Sequence, residues 1–178
     1  MANLDKFSDP NVTAKGEARA RVALTHPETL WFNTGTLCNI ECVNCYIDSS
    51  PTNDALVYIT ANEVKDYLQQ LLSRNWPVRE IAFTGGEPFM NPEMIDIAEC
   101  SLVAGYEVLI LTNAMLPMMR KRVKQGHFEL NAAYSSKLTL RTSLDHFDRA
   151  NHDSAEGMGA IDQPLQCLNW PPQFGTRI

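Results

Sequence analysis

The sequence predicts an α/β fold in which a parallel sheet carries helices on its outer face. Four stretches of strand character begin near residues 29, 80, 106 and 137. Helical patterns stand between them, so each strand returns to the same direction by a crossover. The length of 178 residues suits one domain better than two. An open doubly wound sheet and a barrel both satisfy this order, and periodicity does not choose between them.

Residues 9–24 are predicted as a helix, with Asp9 as cap and Pro10 in the first turn. It would form an N-terminal extension over residues 1–27, ahead of a core spanning 28–178. Thr29 to Thr34 is a short, largely buried strand, and a cysteine loop follows it. Thr60 and Glu63 have the spacing of a capping box. Val64, Leu68, Leu71 and Leu72 then recur at helical intervals, which predicts a helix over 61–73. Glu80 to Thr84 is the second strand, ending in Gly85-Gly86. Asn91-Pro92 opens a helix through Met94, Ile95, Ala98 and Leu102 that stops at Gly105. Tyr106 to Thr112 is the third strand, followed by a broken helical stretch to Tyr134. Lys137 to Ser143 is the fourth. Beyond a polar loop, Ala160 to Trp170 has helical character weakened by Pro164 and by Pro171-Pro172.

Composition removes several functional classes. A net charge of −6 gives no electrostatic reason to expect nucleic acid or an anionic membrane as partner. The run Arg120-Lys121-Arg122 with Lys124 reads as a solvated helix face, with docking of an acidic electron donor as the alternative. Residues 1–24 lack the apolar stretch of a signal peptide, and no apolar run approaches the roughly 20 residues of a membrane span. Five cysteines, three of them crowded into positions 38–45, fit a reducing cytoplasm and a metal site better than a disulfide framework.

Cys38, Cys42 and Cys45 form a C-x3-C-x2-C loop just after a strand. Such spacing lets one short loop wrap a compact cluster, each thiolate ligating one iron. A closed structural site usually takes four protein ligands, whereas three leave an open position, which marks a catalytic metal. The alternative is a zinc loop completed by His146, His152 or Cys100. Cys100 and Cys167 otherwise read as buried, unligated cysteines.

With Thr84-Gly85-Gly86-Glu87-Pro88 closing the second strand, the sequence resembles the radical S-adenosylmethionine (radical SAM) superfamily, in its cysteine motif and in its GGEP motif. The resemblance extends from about residue 28 to the chain's end. It implies a partial (β/α)6 barrel with the chemistry on the open C-terminal face of the strands, where barrel enzymes in general keep their sites. It implies a 4Fe–4S cluster on Cys38, Cys42 and Cys45, with S-adenosylmethionine chelating the open iron. Gly85, Gly86, Glu87 and Pro88 would line the methionine end. The two glycines would permit close backbone approach there, and Glu87 would either anchor its own loop or accept from the ammonium. In similar proteins polar groups at strand ends approach the ribose, methionine or substrate; here these are Asn113, Ser143 and Asp145, for which capping or loop hydrogen bonding is the alternative. The family often has an aromatic residue just before the third cysteine. This chain has Asn44 there and Tyr46 after it, so adenine contacts do not carry over.

The activity implied is reductive cleavage of S-adenosylmethionine to a 5′-deoxyadenosyl radical that takes hydrogen from a small-molecule or peptide substrate the sequence does not identify. No acid–base constellation is required, and no catalytic side chain is assigned. An electron donor such as flavodoxin or ferredoxin is the implied partner. A non-enzymatic iron–sulfur or zinc module is the competing class, though it has no need of GGEP. At about 30 residues per βα unit, the chain holds four to five of six units. A half-barrel truncated at its C-terminus, and by itself a poor catalyst, is therefore expected.

Overall fold

The computed structural model describes residues 8–144 and 146–157, together with 161, 162 and 165. Its sheet has four strands, β1 (Thr29–Asn33), β2 (Glu80–Thr84), β3 (Glu107–Thr112) and β4 (Leu138–Thr142). Every neighbouring pair is parallel, and the spatial order is the chain order. A doubly wound sheet reverses its order at a switch point. This one never does, which is the winding of a barrel segment. The fold is a partial β/α half-barrel.

Between the strands lie α1 (Ala61–Ser73), α2 (Met94–Val103), α3 (Leu116–Met119) and α4 (Lys121–Tyr134), and α5 (Arg149–Glu156) follows the last strand. The register aligns Phe32 with Phe83, Phe83 with Ile110, and Ile110 with Leu140. With Ile81, Val108 and Leu138 these side chains make the helix-facing side of the sheet. Phe32 stacks on Phe83 at 5.7 Å between centroids and meets the edge of Tyr67 from α1 at 5.5 Å. Each large apolar side chain fully buried in this layer contributes about 2 kcal/mol.

The capping box of α1 forms as expected. Thr60 Oγ1 accepts from Glu63 N–H (3.2 Å), and Glu63 Oε2 accepts from Thr60 N–H (2.8 Å). The helix buries Val64, Leu68 and Leu71, but Leu72 falls at the edge of the stripe and is 64% exposed. Replacing Thr60 with alanine is expected to destabilise the chain by about 1 kcal/mol. Urea denaturation followed by circular dichroism measures this, and an unchanged midpoint would show the box to be energetically idle.

Two sequence expectations are corrected. No helix occupies residues 8–24. An antiparallel bridge between Val12 and Ala18 closes a turn there instead, and Asp9 Oδ1 accepts from the Asn11 and Val12 N–H groups at 2.7 and 3.0 Å. Val22 and Leu24 are 94% and 69% exposed, so this segment has no apolar stripe through which packing could stabilise a helix. The polar stretch after β4 is not all loop, because α5 lies within it. Asp148 caps that helix by accepting from Asn151 N–H at 3.2 Å, and Gly157 ends it. Most of the expected helix over 160–170, and the chain beyond it, lie outside the described residues.

Candidate functional site

Two loops meet at the C-terminal ends of β1 and β2. Thr34 N–H donates to Thr84 O (2.8 Å), Gly86 N–H to Gly35 O (2.8 Å) and Glu87 N–H to Leu37 O (3.1 Å). The cysteine loop is tied back on its other side, where Cys38 N–H donates to Ser50 O at 3.0 Å. This clamp explains both glycines. Gly85 has φ 144°, a conformation that disfavours any side chain. A Cβ on Gly86 would lie 2.1 Å from Leu37 O and 2.5 Å from its carbonyl carbon. The close backbone approach expected of Gly86 is thus made to the chain's own cysteine loop.

Behind the clamp opens a cavity of about 180 Å³ bordered by Cys38, Cys42, Cys45, Gly85, Gly86, Asn113 and Ser143. Residues as far apart in sequence as Cys38 and Ser143 are brought to one wall because consecutive parallel strands end side by side. Ser143 joins through the end of β4, its N–H donating to Thr112 O at 3.0 Å. Asp145 lies outside the described residues.

Glu87 and Pro88 do not border the cavity. Glu87 is 1% exposed, and its carboxylate accepts from Phe89 N–H (3.0 Å), Thr112 Oγ1–H (2.8 Å) and Asn113 N–H (2.8 Å). These are the bonds of an anchor joining the GGEP turn to the end of β3. Burial pushes the Glu87 carboxyl up to about 7, although all three donors oppose the shift. Pro88 opens the single turn Pro88–Met90 that leads the chain toward α2.

The donor set is soft and prepared for sulfur chemistry. Ser49 N–H donates to Cys45 Sγ at 3.2 Å, and Asn113 Nδ2 lies 3.7 Å from Cys38 Sγ. Burial raises the Cys38 thiol. Ser49 Oγ, on the same wall, is buried without a hydrogen-bond partner among the described residues, as a hydroxyl would be whose acceptor is a bound group. Among the described residues, no three His, Cys, Asp or Glu side chains gather as a single ion would require. Three thiols spread around one cavity, with donors aimed at sulfur, fit an iron–sulfur cluster.

Of the remote ligands considered for zinc, Cys100 and His146 are bonded elsewhere. Cys100 is half-buried rather than buried, and its thiol donates to Ile97 O at 3.1 Å on α2. His146 Nδ1 accepts from Asp148 N–H at 2.9 Å. His152 is fully buried on α5, with Nε2 3.5 Å from Glu156 Oε2.

Among the bordering residues given no site role from the sequence are Tyr46, Ser49, Thr84 and Glu156. Tyr46 is 76% exposed and its hydroxyl lies 3.4 Å from Thr84 Oγ1, so an aromatic ring stands at the mouth although Asn44 holds the usual place. For Glu156 the available clue was the i, i+4 spacing from His152, both between the capping Asp148 and Gly157. Its approach to the cysteines depends on a tertiary contact, Val43 N–H to Ala155 O at 3.2 Å.

Comparison with known proteins agrees with this geometry. The chain is 33% identical over 142 residues to the antilisterial bacteriocin subtilosin biosynthesis protein AlbA of Bacillus subtilis, covering 79% of this chain and 30% of AlbA. It is 27% identical over 165 residues to the AdoMet-dependent heme synthase of Methanosarcina barkeri, covering 88% of this chain and 44% of the synthase. Streptococcus suis SuiB bound to its precursor peptide SuiA superposes with a TM-score of 0.67 at 18% identity, covering 85% of this chain and 32% of SuiB. The chain thus spans less than half the length of each of these relatives. The family model of the radical SAM superfamily matches residues 32–171, and with the clamp of cysteine loop against GGEP turn beneath that match, the chain belongs to the radical SAM superfamily.

Proposed function

We propose that this chain holds a 4Fe–4S cluster on Cys38, Cys42 and Cys45 and binds S-adenosylmethionine in the adjoining cavity. The observation that supports this reading is the single cavity bordered by all three thiols and by Gly85-Gly86. When bound, the cluster supplies the electron that splits the sulfonium into methionine and a 5′-deoxyadenosyl radical, which then takes a hydrogen atom from a substrate carbon.

The chain's own residues bind and orient. The three cysteines come from one loop, which is held by backbone hydrogen bonds from Glu87 N–H to Leu37 O and from Cys38 N–H to Ser50 O, and by the Asn39 side chain against Asn113. Glu87 keeps the GGEP turn in place without reaching the cavity, while Asn113, Ser143 and Tyr46 present polar groups or a ring to whatever occupies it. Thr84, Ser49 and Glu156 complete the wall. A peptide is the substrate class supported by the likeness to AlbA and to SuiB with its precursor peptide. An electron donor such as flavodoxin or ferredoxin belongs to the same reading.

Anaerobic reconstitution tests it. The wild-type chain should bind four irons and four sulfides, with an electron paramagnetic resonance spectrum that changes on adding S-adenosylmethionine. Cys38→Ala, Cys42→Ala and Cys45→Ala should each abolish the cluster, whereas Cys100→Ala and Cys167→Ala should keep it. Loss of iron in Cys100→Ala would instead establish a closed, four-ligand site.

A further inference from the structure

Two donors stand behind the cysteines rather than among them. Asn113 is 8% exposed, and its Nδ2 lies 3.7 Å from Cys38 Sγ and 2.9 Å from Asn39 Oδ1. The carboxamide is held in that orientation because its Oδ1 accepts from Met115 N–H at 3.1 Å. A flipped amide would set two donors against each other there and two acceptors against Asn39. The Asn113 backbone is fixed as well, its N–H bound to Glu87 Oε2 at 2.8 Å. Ser49 is 3% exposed, and its N–H donates to Cys45 Sγ at 3.2 Å. Its hydroxyl has no partner among the described residues although it is buried on the cavity wall. A buried hydroxyl left without an acceptor is destabilising. The cavity beside it is bordered by the three thiols, where a bound cluster would bring sulfur to it.

We infer that the Asn113 carboxamide, aimed at Cys38 sulfur, and the Ser49 hydroxyl, unpartnered on the cavity wall, are positioning groups that donate to sulfurs of the cluster held there and raise its reduction potential. The inference rests on the four-iron reading above. Reduction adds an electron that is shared with the sulfurs, so a fixed donor aimed at sulfur stabilises the reduced state more than the oxidised one. Both groups are shielded from water, which would otherwise compete for the same hydrogen bond. They sit on different loops and share no hydrogen-bond partner among the described residues, so their effects should add. Glu87 enters indirectly, by holding the Asn113 backbone from which the carboxamide projects.

The experiment is a redox titration of the reconstituted chain, followed by electron paramagnetic resonance, for wild type, Ser49→Ala, Asn113→Leu and the double variant. Iron and sulfide are counted in each. The expected result is a retained four-iron cluster whose midpoint moves to more negative potential in each single variant. A tenfold weakening of reduction corresponds to about 59 mV for one electron, and shifts of that order are expected, summing in the double variant. An unchanged or more positive midpoint in Ser49→Ala overturns the inference. That variant also decides the matter should Asn113→Leu fail to fold, because the Ser49 hydroxyl has no partner among the described residues to lose. A wild-type chain that assembles no four-iron cluster overturns the underlying reading instead, so the two failures are distinguishable.

Discussion

Gly86→Val should remove both cluster assembly and the spectral response to S-adenosylmethionine. The first Cβ already meets Leu37 O at 2.1 Å and Thr36 O at 2.9 Å, and both are backbone atoms that no rotamer change can move. To admit the side chain, the loop from Thr36 to Cys38 must shift away from the GGEP turn. The bonds from Gly86 N–H to Gly35 O and from Glu87 N–H to Leu37 O then break. Overpacking of this kind destabilises by about 3 kcal/mol, and the loop displaced is the one that carries Cys38. Were Gly86 merely making room for the methionine end of the cofactor, the variant would keep its iron and lose only the cofactor response. Iron and sulfide counts after anaerobic reconstitution separate the two outcomes, with thermal denaturation of the apoprotein as a check on folding. A full complement of iron in Gly86→Val would refute the clamp as the reason for glycine at this position.

The second large effect is a pH dependence centred on Glu87. In the unfolded chain its carboxyl releases its proton near 4.5, whereas in the fold it holds that proton up to about 7. Between those values the native state binds more protons, so this group's contribution to stability declines as pH rises. The contribution is fully present below about 4.5 and is gone once pH exceeds about 7. The span corresponds to about 3 kcal/mol at 1.36 kcal/mol per unit. Glu87→Gln cannot titrate. It keeps an acceptor for Phe89 N–H and Thr112 Oγ1–H but turns an amide toward Asn113 N–H, losing that bond. The variant should therefore be the less stable chain near pH 5 and should gain on wild type by about 3 kcal/mol by pH 8. Urea denaturation of the two apoproteins across that range measures the difference. Parallel pH profiles would mean that Glu87 is ionised throughout, its three donors outweighing burial.

The half-barrel was legible where local chemistry and global fold agree. The α1 boundaries follow from Thr60 and Glu63 because a capping box satisfies its own N–H groups and needs no tertiary partner. The ends of β2 follow from Glu80 and from Gly85-Gly86 for the same local reason. The helix expected over 9–24 had a plausible cap in Asp9 and no apolar face to bury, and packing rather than capping decided the outcome. α5 was missed for the complementary reason. Arg149 to Glu156 holds no apolar side chain larger than alanine, and its place is set by the contact of Ala155 with Val43 in the cysteine loop.

What the sequence by itself determined was the set of thiols, the GGEP turn and their family, since spacing along the chain is a local property that needs no coordinates. Only the tertiary structure decided what each of these residues touches. Winding β1 to β4 in chain order brings Cys38, Gly86, Asn113 and Ser143 to one cavity, across separations that no periodicity encodes. It also turned Glu87 away from that cavity and into the junction of β2 with β3, and it packed Gly86 against Leu37. Motif residues fall into those that face a ligand and those that hold the loops together, and sequence order does not distinguish them. The distinction rests on direction, which the sheet's register and the loops' own backbone hydrogen bonds impose.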